Sequence, residues 1–180
     1  MGHIPLDDSL PGMRRLLAFH PAIAPVLTGL MQVMMRSKQG LKPGERELIA
    51  AYISGINQCV SCENIHSAIT CHLFDLNEFE LNKIKQDFNA ASISERLKAL
   101  LAIVEKIRRG GTFVTPSEIE QAKTKGCSDQ EIHDTVLISS LFCMFNRYID
   151  GLALESFDTP ESLNERAKHI AHKGYSGGSA

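Results

Sequence analysis

The sequence predicts an all-α, single-domain fold, and three observations support this. Apolar residues recur at helical spacing through most of the chain. Several of these segments begin with a capping residue followed three positions later by glutamate, which is typical of helix N-termini. No alternation of apolar and polar residues is long enough to predict a strand. The 180 residues, 43% of them hydrophobic, fit one domain with a substantial core.

The composition argues against several classes of protein. The net charge is −2 and basic pairs are few, so no surface for nucleic acid is predicted. The longest apolar run, 136–145, is interrupted by serines and is far shorter than the ~20 residues that span a bilayer. Residues 1–8 lack the basic start and apolar segment of a secretory signal, so we expect a cytoplasmic protein with no membrane partner.

The first four predicted helices follow from apolar spacing. They cover 13–19, Pro21 to about 36, 43 to about 57, and 59 to about 73. Pro21 suits the first turn of the second helix, because proline lacks the N–H that a first turn leaves unpaired. The third helix is apolar nearly all round, which is typical of a helix buried in a core or in a subunit interface.

The later helices are predicted from capping signals. Each signal pairs a small polar residue with a glutamate three positions on: Asn77 with Glu80, Ser92 with Glu95, Thr115 with Glu118, and Ser128 with Glu131. The third of these signals opens a helix at 116–125. Together with a terminal helix that Thr159-Pro160 begins, these segments bring the total to roughly eight helices.

The C-terminal third of the chain is predicted as one long helix, one shorter helix and a tail. The long helix runs from 129 to about 157, and Arg147 and Asp150 are expected to form an ion pair on it. The terminal helix runs to about 172. The glycine-rich segment 174–180 is predicted to be a flexible tail, which leaves 1–173 as the domain.

Two cysteines and a histidine form the chemical centre of the sequence. At ~100° of turn per residue, Cys59, Cys62 and His66 share one face of the fourth helix. Cys71 and His72 fall on other faces. His66 lies one turn after Cys62 and can reach it, directly or through a water molecule. A base beside a thiol generates the thiolate, which is the nucleophile.

Glu47 is the predicted partner of this histidine. It lies on the apolar third helix, where a buried carboxylate is costly unless a polar group pairs with it. A Glu47–His66–Cys62 proton relay would satisfy it, with Cys59 placed to attack an oxidised Cys62 and form a disulfide. The opposite assignment is also open, since Cys59 is nearer the helix N-terminus, where the dipole lowers a thiol pKa most. We favour Cys62 because His66 can also transfer its proton.

Two other interpretations use the same residues. Cys59, Cys62, His66 and Glu47 could hold zinc, although the sequence has no second CxxC or histidine pair. The small cysteines could also be inert packing. Five cysteines is an odd number, and a close CxxC in a reducing compartment is more often redox-active or metal-binding than structural. The remaining three are expected to be free thiols outside the site: Cys71, Cys127 and Cys143.

At these residues the chain resembles a known family. Glu47, followed twelve positions later by Cys59-x-x-Cys62-x-x-x-His66, is similar to the site pattern of the AhpD-like alkylhydroperoxidases in the carboxymuconolactone decarboxylase superfamily. The segments 43–50 and 126–132 also resemble the peroxidase-related branch of that superfamily. The founding members carry a histidine just before the second cysteine, where this chain has Ser61.

The resemblance implies an AhpD-like helical bundle that forms a homo-oligomer, a trimer or a hexamer, in agreement with the apolar third helix. It also implies an antioxidant thiol peroxidase that reduces hydroperoxides without a metal or other cofactor. Cys62 would be the peroxidatic thiol, Cys59 the resolving thiol, and His66 with Glu47 the relay. An external dithiol, on a thioredoxin-like or lipoyl protein, would reduce the disulfide. The alternatives are a protein disulfide oxidoreductase and a redox-sensing helical module without physiological peroxidase activity.

Overall fold

The computed structural model describes residues 2–154 and 158–175, and these residues form an all-α fold, as predicted. No described residue belongs to a strand. The described ranges contain nine α-helices: α1 (Arg14–Phe19), α2 (Ala24–Arg36), α3 (Pro43–Ile56), α4 (Val60–Phe74), α5 (Glu78–Gln86), α6 (Glu95–Arg109), α7 (Pro116–Thr124), α8 (Asp129–Gly151) and α9 (Pro160–Lys173). A short 3₁₀ turn, Gly111–Phe113, lies between α6 and α7.

The third helix, α3, is the centre of the bundle. Every residue from 44 to 54 is buried, and the helix packs against α4, α6 and α8. The apolar surface that the sequence assigns to a core or a subunit interface is therefore covered by the chain itself. This helix consequently gives no argument for an oligomer.

A buried ion pair fixes the start of α3 against α8. The Arg46 guanidinium donates to the Asp134 carboxylate over 2.6 Å and to the carbonyl oxygens of Leu41 and Met34 over 2.9 and 2.8 Å. Burial of a guanidinium is tolerated only where its donors are paired. These contacts set the position of the helix that carries Glu47.

The apolar interior consists of two clusters. The larger one fills the space between α2, α3, α6 and α8. The smaller one joins Leu16 of α1, the two cysteines Cys59 and Cys62, and Ile149 and Leu154 at the end of α8. The CxxC motif is thus built into a separate small core that the N-terminal helix covers.

Most of the predicted helix starts are confirmed. Asn77, Thr115 and Ser128 each begin a helix with the reciprocal side-chain and backbone hydrogen bonds of a capping box. Thr159 accepts from the Ser162 N–H over 3.2 Å at the start of α9. Side-chain oxygens satisfy the unpaired N–H groups of a first turn, which is why the signal is readable in sequence.

Two predicted starts are wrong. The second helix begins at Ala24, with Pro25 in its first turn, because 21–23 form a separate turn in which the Ile23 N–H donates to the His20 carbonyl. The cap of α6 is Ser94, which accepts from the Leu97 N–H over 3.2 Å, and not Ser92. Ser94 has no glutamate three positions later, so the capping-box pattern could not find it.

The long helix ends earlier than predicted, at Gly151. The Leu154 N–H donates to the Ile149 carbonyl and the Ala153 N–H to the Asp150 carbonyl, which is a Schellman end. Ala153 takes a φ of 50°, in the left-handed region that glycine or asparagine usually occupies. An alanine there gives no sequence signal, and 155–157 lie outside the described residues.

We expect Ser128→Ala to lower the free energy of unfolding by about 1 kcal/mol, because the capping box at the start of α8 is lost. The matched control is Ser140→Ala on the same helix. The Ser140 hydroxyl is exposed and only donates back to the Val136 carbonyl, so its removal should be nearly neutral. Chemical denaturation of both variants measures the difference, and equal stabilities would contradict the capping role of Ser128.

None of the helices in the described part of the chain combines the length and apolar character that crossing a bilayer requires.

Candidate active site

The turn between α3 and α4 fixes the first cysteine. The Gln58 N–H donates to the Gly55 carbonyl over 2.9 Å, and the Cys59 N–H to the Ser54 carbonyl over 3.0 Å. Gln58 has a φ of 65°, so α3 ends in a Schellman turn, which is the break that the sequence predicts after residue 57. Cys59 follows this turn at once and is the N-cap of α4. The CxxC is therefore held by two helix ends rather than by a loop.

The two cysteines differ in their access to an internal pocket. A pocket of ≈ 280 Å³ lies between the start of α4, the end of α8, and the segments that carry α1, α2 and α9. Cys62, Ser61 and His66 all line this pocket. Cys59 is 0% exposed and does not line it. Cys62 is thus the thiol that a small molecule in the pocket would meet first, with Cys59 behind it.

The pocket wall is mostly apolar. Its hydrophobic lining includes Met13, Leu17, Leu27, Met31, Phe142 and Phe145. A largely apolar wall lowers the local dielectric constant, which strengthens the electrostatic contacts of the polar groups that face inward. An organic molecule with an apolar body fits this surface better than a highly charged one.

The pKa values of the two thiols are shifted in opposite directions. Hydrogen bonding to Cys62, burial, and the nearby Asp150 carboxylate together raise the pKa of Cys59. The hydrogen bond from Cys59, aided by Asn146, lowers the pKa of Cys62 in spite of burial. A thiol pair that shares one proton in this way leaves the thiolate on the sulfur that receives the hydrogen bonds. Cys62, which faces the pocket, is therefore the more acidic thiol.

Glu47 and His66 form a buried pair beside the pocket. The Nδ1 atom of His66 lies 2.7 Å from Oε2 of Glu47, and the Glu47 side chain has no exposed surface. Burial alone would raise the pKa of Glu47, but the His66 hydrogen bond and the charges of His66 and Arg36 outweigh it and lower that pKa. A carboxylate that accepts from Nδ1–H leaves Nε2 as the proton-accepting atom of the ring.

The described contacts place no direct hydrogen bond between His66 and Cys62. Both side chains line the same pocket, but among the described contacts no hydrogen bond joins the imidazole to the thiol. Phe142 packs edge-on against the His66 ring, with 4.6 Å between ring centroids, and holds its orientation. A proton moving between the two groups must therefore travel through a water or a substrate atom, which is one of the two routes that the sequence allows.

Two residues that contact Glu47 were missed by sequence reasoning. Arg36, the last residue of α2, donates from Nη1 to Oε1 of Glu47 over 2.6 Å. The Tyr175 hydroxyl donates to the same carboxylate over 2.9 Å. No local pattern marks Arg36. Tyr175 belongs to the segment 174–180 that the sequence predicts to be a flexible tail, yet here it is packed into the site; 176–180 lie outside the described residues.

The long helix contributes two further residues near the cysteines. Asn146 is 1% exposed, accepts from the Asn57 amide over 2.9 Å and donates to the Ser54 hydroxyl over 3.1 Å. The ion pair expected between Arg147 and Asp150 is absent from the described contacts. Arg147 donates instead to its own helix backbone, at the carbonyl of residue 143, and Asp150 interacts with Cys59. In the sequence, the available signal for this part of the site was Asn146, an asparagine on the apolar face of the long helix.

The ligand set of the zinc alternative does not assemble. Among the described residues, no three histidine, cysteine, aspartate or glutamate side chains are grouped as ligands of one metal ion. The Nδ1 atom of His66 faces Glu47 rather than the cysteines. The geometry therefore favours proton transfer and thiol chemistry at these residues over metal binding.

Comparisons with known proteins agree with this architecture. Residues 21–71 match the carboxymuconolactone decarboxylase family. One similar solved structure is a peroxidase-related protein with an alkylhydroperoxidase AhpD core from Ralstonia eutropha JMP134, with a TM-score of 0.76, 23% identity, and coverage of 88% of this chain and 82% of that one. Another is a peroxidase-related protein from Silicibacter sp. TM1040, with a TM-score of 0.76, 22% identity, and coverage of 85% and 78%. No curated protein matches the chain significantly.

The fold and the matched segment together define the class of protein. The bundle is an AhpD-like fold, and the matched residues 21–71 include both cysteines, His66 and Glu47. Asn146, Asp150 and Tyr175 lie outside the matched segment.

Proposed function

We propose that this protein is a thiol-dependent hydroperoxide reductase. The observation that carries the proposal is the arrangement of the two thiols: the more acidic one, Cys62, faces an apolar pocket together with His66, and Cys59 lies directly behind it. A thiolate at a mostly apolar surface suits attack on a neutral organic substrate such as an alkyl hydroperoxide. The match of residues 21–71 to the carboxymuconolactone decarboxylase family adds support but does not choose among activities.

The first step is attack of the Cys62 thiolate on the terminal oxygen of the peroxide. The S–O bond forms as the O–O bond breaks, so the sulfur is oxidised to a sulfenic acid and the substrate leaves as an alkoxide. His66 accepts the proton that Cys62 loses, through a water molecule, and then donates it from Nε2 to the leaving alkoxide, which departs as an alcohol. Glu47 stabilises the imidazolium that exists before this transfer, in the manner of the carboxylate in a hydrolase triad.

The second step closes the disulfide. Cys59 attacks the sulfur of the Cys62 sulfenic acid and releases water. Its high pKa depends first on hydrogen bonding to Cys62, so oxidation of Cys62 removes the main cause of that high pKa. Asp150 interacts with the Cys59 thiol and is placed to accept its proton and pass it to the departing hydroxide, which leaves as water. The products are a Cys59–Cys62 disulfide, an alcohol and a water molecule.

An external dithiol completes the cycle by reducing the disulfide, with its own oxidation balancing the electrons. Both cysteines are at most 5% exposed, so a reductant must reach Cys62 through the pocket. A lipoyl group on a flexible arm suits such access better than a folded thioredoxin-like surface. The same burial weighs against the protein disulfide oxidoreductase alternative, in which the CxxC must meet protein partners directly.

We also propose that the protein works as a homo-oligomer in the cytoplasm, where dithiol reductants are available. Three exposed apolar residues recur on one face of α2: Val26, Leu30 and Val33, at 62%, 39% and 67% exposure. An apolar stripe of this kind is typical of an association surface. This stripe on α2, and not α3, is the structural argument for an assembly. The number of subunits stays a prediction.

We expect Cys59→Ser to stop the cycle after its first step. The variant should consume about one equivalent of hydroperoxide and hold Cys62 as a sulfenic acid, seen as a gain of ~16 Da. Serine keeps an O–H donor beside Cys62, so the first attack should remain rapid. Intact mass spectrometry with a sulfenic-acid trap measures this.

The matched control is Cys71→Ser, which changes a half-buried thiol outside the pocket and should cycle normally. Repeated turnover by Cys59→Ser would show that another thiol resolves the sulfenic acid, or that the first step is not a sulfenic acid at all.

A further inference from the structure

After α9 the chain returns to the candidate active site. The Tyr175 hydroxyl lies 2.9 and 3.1 Å from the two carboxylate oxygens of Glu47 and 3.5 Å from Nδ1 of His66. Its ring lies nearly parallel to the imidazole, at 28° and 6.4 Å between centroids. A residue 128 positions after Glu47 in sequence thus touches both members of the buried pair.

Two residues of α2 hold Tyr175 in this position. The Gln32 side chain accepts from the Tyr175 N–H over 2.6 Å, and the Arg36 guanidinium lies over the tyrosine ring, 5.1 Å from its centroid. Arg36 also donates to the Ile170 carbonyl near the end of α9 over 3.0 Å. Arg36 therefore contacts the Glu47 carboxylate, the Tyr175 ring and α9, the helix that precedes Tyr175.

Gly174 permits this approach. Its φ is +77°, and a Cβ at this position would lie 2.5 Å from Oε1 of Gln32. The positive φ strains any other residue there, and the Gln32 amide would also have to shift. The chain can turn from α9 into the site only because residue 174 has no side chain.

We propose that Tyr175 is a positioning residue of the Glu47–His66 pair: its hydroxyl fixes the Glu47 carboxylate so that Oε2 faces His66 and Oε1 faces Arg36. This proposal deepens the function proposed above and rests on it. With donors on both oxygens, the carboxylate cannot rotate away from Nδ1–H, and Nε2 stays the atom that faces the pocket. Burial and the Glu47 charge raise the pKa of Tyr175 well above its usual value, so the phenol keeps its proton and remains a donor.

The charged and titratable groups around the pair come from four parts of the chain. Arg36 of α2, Glu47 of α3, His66 of α4 and Tyr175 beyond α9 are in direct contact. The other titratable groups on the pocket wall are Cys62, Arg14, Arg166 and His169. Removing the Tyr175 hydroxyl changes a hydrogen bond to the carboxylate and leaves every one of the other charges in place.

The test compares Tyr175→Phe with Tyr52→Phe. The Tyr52 hydroxyl also donates to a glutamate, Glu105, over 2.8 Å, but it does not line the pocket. In Tyr175→Phe we expect kcat for hydroperoxide reduction to fall roughly tenfold. KM should change little, because the ring still completes the pocket wall. The acid limb of the pH–rate profile should move to higher pH, because a carboxylate that loses a donor titrates at a higher pH.

A readout at neutral pH separates this proposal from the proposed function. The Nδ1 proton of His66 should give a downfield, exchange-protected NMR signal in the wild type and in Tyr52→Phe. In Tyr175→Phe this signal should shift and exchange with water at least about tenfold faster. Gly174→Ala should reproduce that change with the hydroxyl still present, because the positive φ is strained for alanine and its Cβ meets the Gln32 side chain that accepts from the Tyr175 N–H.

If the wild type reduced no hydroperoxide, the proposed function would be wrong. The NMR signal of the His66 Nδ1 proton would still decide the role of Tyr175. An Nδ1 proton with the same shift and exchange rate in Tyr175→Phe as in the wild type would overturn the positioning role, whatever the activity.

Discussion

Replacing Cys62 by serine is expected to lower hydroperoxide turnover by at least about a thousandfold, because an alcohol at this position supplies no thiolate to attack the O–O bond. The fold should survive, since serine is smaller than cysteine and Cys62 belongs to a small cluster rather than to the main core. Peroxide consumption with a dithiol in excess measures the loss, and circular dichroism and thermal unfolding check the fold.

Cys71→Ser is again the matched control, because it makes the same chemical change on the same helix, outside the pocket. It should keep wild-type turnover. A Cys62→Ser protein that still reduces hydroperoxide at the wild-type rate would contradict the assignment of the attacking thiol and reopen the case for Cys59.

The second large effect is expected from Glu47→Gln, which preserves the shape of the side chain and removes its charge. Turnover should fall roughly a hundredfold or more, because a neutral amide neither stabilises the His66 imidazolium nor enforces its tautomer. The variant should also lose about 3 kcal/mol of unfolding free energy, because Arg36, 12% exposed, loses its buried counter-ion.

The stability difference between wild type and Glu47→Gln should depend on pH in a defined direction. The pKa of Glu47 is lowered in the folded protein from a reference of 4.5. A carboxyl group with a depressed pKa contributes its full stabilisation above the reference pKa and loses it as the pH falls through the folded value. The difference should therefore be constant above pH 4.5 and shrink below it.

Urea unfolding at a series of pH values measures this difference. Glu105→Gln provides the control, because Glu105 also accepts a tyrosine hydroxyl but lies on the exposed surface of α6. Its effect on stability should be small at every pH. A Glu47→Gln protein as stable as the wild type would contradict a charged, paired Glu47.

The helices could be predicted from sequence where local chemistry determines them. Capping pairs such as Ser128 with Glu131 are local hydrogen bonds, and they are present as expected. The end of α8 could not be predicted, because Ala153 in a left-handed conformation depends on the packing of Leu154 into the small cluster. Local propensity disfavours alanine in this conformation, and tertiary contacts override that preference.

The candidate site was predictable only where its residues lie close together in sequence. Glu47, the CxxC and His66 sit on two consecutive helices, so helical spacing places them near one another, and the Glu47–His66 contact at 2.7 Å is present. Arg36 and Tyr175 reach the same carboxylate from other parts of the chain. Their contribution depends on how α2 and α9 pack, which no pattern within either segment specifies.

The most direct test of the central claim is to count thiols in the reduced wild-type protein before and after one equivalent of an organic hydroperoxide, with intact mass on the same samples. We expect rapid loss of two thiols and ~2 Da, mapped to Cys59 and Cys62. Slow or absent loss of these thiols would contradict a two-cysteine peroxidase and leave the CxxC to a different disulfide chemistry.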